Sequence, residues 1–297
     1  MATRTTAAVQ APQQIFQDFK SEHTVLAELI AQVSDNVPGV PIRILEAGCG
    51  QRWPLRIAGV RVHITGVDTD ADAMRIRRAA HADLDAEIVG DLRTVELPQA
   101  AFDISYCSFV LEHVDGAERV LEQLRLATRP GGRLVIRVPD RDSVYGFIVR
   151  HSPHRIHVLY KRYIEGFADA GKPGHAPYPT VYDEVVSLRG LRDYARAHDL
   201  EVVAEYGSNA YLMVFKSLRP AVAGCLKVIS WISRGRVLAT HNNIGIVLQI
   251  PNENMTGPLR PDSGTSSPDD DESADSEKLP ADRLATHVHR TIRDGSP

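Results

Sequence analysis

The sequence has little cysteine, no long apolar run and no excess of positive charge, and each shortage removes a class of protein. Its three cysteines, Cys49, Cys107 and Cys225, stand far apart among 297 residues. With no CxxC pair and no Cys/His cluster at zinc spacing, neither a disulfide framework nor a structural metal is expected. No stretch approaches the roughly 18 uncharged apolar residues of a membrane-spanning helix. Met1–Gln14 lacks the apolar run of a signal peptide, so a reduced, cytoplasmic setting is expected. Charged residues make up 24% of the chain and the formal net charge is −4, which argues against a general nucleic-acid binder.

What is present is a globular composition, 43% hydrophobic, long enough for one large domain or two small ones. Residues 1–13 read as a disordered leader. A helix is expected from about Gln14 to Ser34, because Phe16, Phe19, Leu26, Leu29, Ile30 and Val33 fall on a helical stripe. Short β-rich runs follow at Ile42–Leu45, Val62–Val67, Glu87–Val89, Phe102–Cys107 and Arg133–Val138, with helical periodicity at Asp70–Ala80 and Ala117–Ala127. Strands alternating with helices imply βαβ units and a parallel sheet. A helix (Leu188–His198), a strand (Glu201–Tyr206), a basic amphipathic helix (about Tyr211–Arg234) and a last strand (Ile244–Ile250) close the domain, which spans 14–251. From 252 to 297 Ser, Asp, Glu and Pro dominate, as in Ser266-Ser-Pro-Asp-Asp-Asp-Glu272. That composition buries too little apolar surface to offset ordering entropy, so a disordered acidic tail is expected.

The chemistry concentrates at strand ends. Ile44-Leu-Glu-Ala-Gly-Cys-Gly50 follows an apolar strand and is read as leading into a helix; Gly48 and Gly50 permit a tight turn and close ligand approach. Open α/β sheets bind nucleotides at such a turn. A dinucleotide fingerprint needs a third glycine where Trp53 stands, which weakens a nicotinamide reading. Glu46 can help hold a ligand ammonium group. Asp68 ends the next strand, where a carboxylate accepts from a ribose diol. Asp91 and Leu92 end the third, placed for an adenine amino group and ring. Each carboxylate alone is an ordinary cap or turn residue; their shared position at successive strand ends is what carries meaning.

Taken with Phe102-Asp-Ile-Ser-Tyr-Cys-Ser-Phe-Val-Leu-Glu-His-Val114 and Pro130-Gly-Gly-Arg-Leu-Val-Ile136, this order of motifs resembles the class I S-adenosylmethionine-dependent methyltransferases. Within them it is similar to the small-molecule branch of ubiquinone/menaquinone-biosynthesis type. The resemblance covers about residues 40–140, with topology alone as a guide to about 250. It implies an α/β, doubly wound, Rossmann-like fold: a mostly parallel seven-stranded sheet with helices on both faces, a lid insertion after the fifth strand and an extra helix before the last. It implies S-adenosylmethionine as cofactor. Glu46, Gly48 and Gly50 would line its methionine end, Asp68 and Thr69 its ribose, Asp91 and Leu92 its adenine. Cys107 and Ser108 would lie beside the sulfonium. Cys49 and Cys107 otherwise read as small packing residues. His113 is the candidate base, with a helix-capping or packing role as its alternative.

The insertion 140–186 carries His151, His154, His157, Tyr160, Tyr163, His175, Tyr178 and Tyr182, and reads as an irregular lid or pocket wall. Pro153 interrupts the histidine spacing, so no metal site is expected. In the helix at 211–234, Leu218, Val222, Leu226, Ile229 and Ile232 form an apolar stripe among basic residues. That pattern suits packing on the sheet or a partner, peripheral contact with a membrane, or cover for a lipid-like substrate. The function expected is methyl transfer to a small or lipid- or sugar-linked acceptor, at oxygen first. A catalytically inactive partner subunit and a nicotinamide-dependent oxidoreductase are the rivals.

Overall fold

The computed structural model describes residues 11–33, 39–172 and 177–252. Most of the expected leader, nearly all of the expected acidic tail and His175 lie outside them. In chain order the strands are β1 (Ile15–Phe16), β2 (Ile42–Ala47), β3 (Val62–Asp68), β4 (Ala86–Val89), β5 (Phe102–Ser108), β6 (Thr128–Pro139), β7 (Glu201–Ser208) and β8 (Asn243–Gln249). The helices are α1 (Phe19–Ala31), α2 (Ala71–Ala80), α3 (Ala117–Ala127), α4 (Val144–His151), α5 (His154–Tyr163), α6 (Leu188–Ala197) and α7 (Arg219–Ile232).

The strands join in one sheet of order β1-β7-β8-β6-β5-β2-β3-β4. All pairings are parallel except those of β8, which runs antiparallel to β6 and β7. Both faces are covered, and successive strand residues serve opposite layers. Ile44 belongs to one core with Leu26 and Ile30 of α1, and its neighbour Leu45 to the other with Leu121 and Leu124 of α3. This double burial makes the central strands short, nearly continuous apolar runs.

From β2 the chain builds outward through β3 and β4, then returns to place β5 on the opposite side of β2. At such a reversal the connections leave in opposite directions and a crevice opens beyond the strands' carboxyl ends. The turns after β2, β3, β4 and β5 all reach that crevice.

Several elements differ from the sequence expectation. The sheet has eight strands rather than seven, because Ile15–Phe16 pairs as an edge strand with Gly207–Ser208 instead of beginning the first helix. That helix starts at Phe19, where Asp18 caps it by accepting from the Ser21 N–H at 2.8 Å. Glu22 of this helix is buried; Arg137 Nε donates to it at 2.7 Å and the Tyr206 hydroxyl at 3.2 Å. The insertion is not irregular throughout, since it contains α4 and α5. The helix expected over 211–234 is broken at Lys216 (φ 44°, ψ −117°), so only 219–232 is α-helical. No helix joins β2 to β3 among the described residues, and Pro54 and Gly59 fall in that irregular connection.

Candidate active site

The crevice is a cleft of about 1190 Å³. Single drug-sized ligands occupy roughly 300–1,000 Å³, so there is room for a cofactor and an acceptor together. Gly48, Gly50, Asp68, Thr69, Asp91, Leu92 and His113 all line it. Glu46, Cys107 and Ser108 do not.

The glycine turn is fixed from two sides. Gly48 and Cys49 donate their N–H groups to the Val67 carbonyl at 2.8 and 3.1 Å, and Gly50 N–H donates to Asp68 Oδ2 at 2.8 Å. Gly48 has φ +66° and Gly50 φ +53°, the left-handed region glycine adopts without steric cost. A Cβ on Gly48 would also overlap Val110 Cγ2. Gly48→Ala is therefore expected to combine a left-handed penalty of about 1–2 kcal/mol with overpacking of about 1–3 kcal/mol. Urea unfolding of the Gly48→Ala and Gly48→Ala/Val110→Ala variants checks this: the double variant should recover the overpacking share alone. If it recovers nothing, Val110 is not what the alanine meets.

Beneath the turn, Arg77 has no exposed side-chain surface; its Nη1 donates to the Cys49 carbonyl at 2.8 Å and lies 2.8 Å from Glu46 Oε2. Arg77 Nε donates to Asp83 Oδ1 at 2.8 Å. Burial raises the Glu46 carboxyl, with Arg77 opposing. Burial works against the Arg77 charge too, yet Asp83 and Glu46 outweigh it and hold the guanidinium above its usual value. Glu46 thus supports the turn through Arg77 rather than forming the cleft wall. The Trp53 ring meets Tyr106 edge-on at 5.0 Å, so a core aromatic fills the place a third glycine would take.

Asp68 is held by two amides. Besides Gly50, the Asp70 N–H donates to its Oδ1 at 2.9 Å, which fixes the carboxylate at the cleft wall. Gly90 N–H donates to the Asp68 carbonyl at 2.9 Å, bringing the turn after β4 alongside. There the Arg93 guanidinium and N–H pull the Asp91 carboxyl down to about 2, so it is ionised at any ordinary pH. Leu92 is buried in the cleft floor.

After β5, Phe109 takes φ 57°, a strained value for a bulky residue that recurs at functional sites. Its N–H donates to the Arg137 carbonyl at 2.8 Å, and the Arg137 guanidinium lies 5.0 Å from its ring centre. The 3-10 turn Leu111–His113 follows. His113 Nδ1 lies 2.8 Å from the Pro179 carbonyl, which can only accept, so Nδ1 carries the hydrogen and Nε2 the lone pair. Burial lowers the imidazole below its usual value, the Pro179 bond opposes, and Lys161 lowers it further. The ring is neutral at pH 7. Its Nε2 lies 3.7 Å from Oε1 of the buried Glu112, whose carboxyl burial pushes up to about 8. Glu112 Oε2 has no hydrogen-bond partner among the described residues.

The insertion closes this side. Val181 N–H donates to the Glu112 carbonyl at 2.8 Å, and Asp183 Oδ2 accepts the Gly116 and Ala117 N–H groups at 2.8 Å, capping α3. Lys161, Phe167 and Tyr178 complete the wall, with Tyr178 edge-on to His113 at 5.9 Å. His151 and His157 turn to local partners, the Phe147 carbonyl and the Ser152 hydroxyl. Among the described residues no three His, Cys, Asp or Glu side chains gather to hold a metal. Cys107 is fully buried, and Ser108 Oγ accepts from Arg137 Nη1 at 3.1 Å; both lie beneath the cleft.

Sequence reading missed Arg93, Phe109, Val110 and Glu112. Arg93, two residues from Asp91, had a visible signal in that spacing. Phe109 had none, since nothing in a phenylalanine announces a left-handed backbone.

A family model described as a methyltransferase domain matches residues 19–205. The malonyl-[acyl-carrier protein] O-methyltransferase of Erwinia billingiae is 24% identical over 163 residues, covering 50% of this chain and 64% of that protein. The Serratia marcescens protein of the same name is 36% identical over 94 residues, covering 30% of this chain and 35% of that one. The chain therefore spans less than two thirds of each relative. Among solved structures, an S-adenosylmethionine-dependent methyltransferase from Mesorhizobium loti is similar at 17% identity and TM-score 0.43, covering 75% of this chain and 97% of that one.

Proposed function

The chain belongs to the methyltransferase domain family, and on that premise we propose that its cleft transfers a methyl group to an oxygen of a small-molecule or lipid-linked acceptor. The methyl donor is S-adenosylmethionine, which supplies a methyl on a positively charged sulfur and needs no metal to make it electrophilic. The observation that carries the reading is the backbone-locked Asp68 carboxylate at the switch point, in one cleft with the neutral imidazole of His113.

The residues present fit the donor. Asp68 is oriented by its two amides and keeps lone pairs for a ribose diol. Asp91 and Leu92 suit an adenine amino group and ring. The Gly48–Gly50 turn leaves backbone open to the methionine end. A dinucleotide fits less well: its pyrophosphate needs a helix N-terminus after the glycine turn, and none follows β2. We assign Glu46 to holding that turn through Arg77, and Cys107 and Ser108 to packing beneath it.

Oxygen as the receiving atom is supported by the relatives named for O-methylation and by His113. An acceptor hydroxyl must lose its proton as its oxygen bonds to the methyl carbon and the carbon–sulfur bond breaks. The Nε2 lone pair of His113 takes that proton. The imidazolium so formed stands 3.7 Å from the Glu112 carboxyl, which keeps its own proton through the transfer, and the ring then releases the proton it took to solvent through the cleft it lines.

His113→Ala is expected to lower kcat by about 10²–10⁴-fold while leaving the dissociation constant for S-adenosylmethionine unchanged. Turnover should rise with pH through a value below about 6.5, the ordinary imidazole value, because only the unprotonated ring is a base, and stay flat around neutrality. Release of S-adenosylhomocysteine across an acceptor panel, followed against pH, provides the measurement. Normal turnover in His113→Ala, or a wild-type profile still climbing above neutrality, assigns the proton to another group.

A further inference from the structure

The segment 210–236 does not behave as a helix packed by one face should. Half-buried Val222, Leu226 and Ile229 form an inner stripe on α7, yet Leu218, Ala221, Cys225, Val228 and Ile232 form a second stripe at helical spacing, and all of these are exposed. Trp231 beside them is 79% exposed and Ile232 67%. A helix apolar on both faces is normally buried on both.

A second segment adjoins it. The Val144 N–H donates to the Leu238 carbonyl at 2.8 Å, Tyr145 stacks on Tyr211 at 5.5 Å, and Tyr160 meets Phe215 at 6.3 Å. On this segment Phe147, Ile148, Ile156, Leu159, Tyr163 and Ile164 are exposed. No residue of α5 or α7 is buried.

Along these two segments the charged residues have one sign. The sequence has no Asp or Glu between Asp142 and Glu165, nor between Glu205 and Glu253, although the whole chain carries a net −4. Arg155, Lys216, Lys227, Arg234 and Arg236 are exposed and have no carboxylate partner among the described residues. Exposed apolar and aromatic side chains amid unpaired cations suit a surface with anionic headgroups over hydrocarbon. Two copies of this face would set their cations against each other, which disfavours self-association.

We propose that α5, α7 and their flanking residues form a docking surface for an anionic lipid bilayer. Trp231, Ile232, Ile156 and Leu159 enter the headgroup boundary while Arg234, Arg236 and Lys227 meet the lipid phosphates. The chain after α5 runs directly into Gly166–Ala170, which line the cleft, so docking brings one edge of the cleft to the bilayer. Methyl transfer need not occur for the surface to bind, so the two readings fail separately.

The test is co-sedimentation of the full chain, without cofactor, with phosphatidylcholine vesicles containing phosphatidylglycerol and with phosphatidylcholine vesicles alone. Binding to the anionic vesicles is expected, weakening as salt rises. The Arg234→Ala/Arg236→Ala variant should bind about 30-fold more weakly, at about 1 kcal/mol for each cation near the surface. Tryptophan emission should shift to the blue on binding, and Trp231→Phe should abolish the shift although Trp53 remains. Protein left in the supernatant with anionic vesicles at low salt overturns the proposal. So does binding that Ile232→Asp leaves unchanged, since that is charge attraction without insertion. A dimer in sedimentation equilibrium that Ile232→Asp dissociates also overturns it, and makes the face an interface between copies. These positions are exposed, and thermal melting of each variant shows that the fold survives.

Discussion

Replacing Asp68 with alanine should weaken S-adenosylmethionine binding by about 10²–10⁴-fold, from two charge-assisted hydrogen bonds of roughly 1.5–3 kcal/mol each. The size of the effect follows from preorganisation. The Gly50 and Asp70 amides hold the carboxylate at 2.8 and 2.9 Å, so a ribose diol binding there would cost it no further rotamer freedom. Asp91→Ala should cost much less, because Arg93 already pairs with that carboxylate and competes with any adenine amino group. Calorimetric titration with S-adenosylmethionine and S-adenosylhomocysteine measures both. Affinity unchanged in Asp68→Ala removes the ribose assignment. Since Asp68 also anchors the glycine turn, the melting temperature is read in parallel, and a folded variant without affinity supports the contact itself.

Arg77→Met should be the most destabilising of these substitutions, by about 3–5 kcal/mol, because it leaves a buried carboxyl without its partner. The guanidinium ties Glu46 of β2, Asp83 beyond α2 and the Cys49 carbonyl into one unit, with no exposed side-chain surface of its own. For a domain of this size each kcal/mol moves the melting temperature by roughly 2–4 °C, so a fall of about 10 °C is expected. Adding Glu46→Gln should restore part of the loss, since the amide is neutral at every pH, whereas a carboxyl without Arg77 avoids a buried charge only while it holds a proton. A loss under about 1 kcal/mol in the single variant shows that the guanidinium does not hold the turn. A Glu46→Gln variant that keeps full stability yet loses cofactor affinity moves Glu46 back to the cofactor.

The central strands were legible because each is buried on both faces and must be apolar throughout. Asp68, Asp91 and the two glycines were legible because strand ends in a parallel sheet point to one edge, and chain order fixes which ends come together. Strand β1 was not legible. Two residues carry no period, and Ile15–Phe16 pairs only because β7, almost two hundred residues on, offers an edge. The break at Lys216 was hidden by apolar spacing that continues across it, since periodicity records side-chain type and not the backbone turn between two segments.

Glu46 shows where local reading stops. In sequence it is an acidic residue two places before a glycine turn, free to point at a ligand. In the fold its partner comes from α2, thirty-one residues later, and the pair turns under the cleft. Glu22 likewise sits on a short amphipathic helix with nothing nearby to announce Arg137. By itself the sequence determined the alternation of strands and helices, the order of the cleft turns and the residue types they carry, because these depend on patterns a few residues long. Tertiary structure decided which carboxylates face the cleft and which are consumed as buried ion pairs, and among the described residues it left an apolar, cationic face exposed, because burial and pairing depend on contacts between segments far apart in the chain.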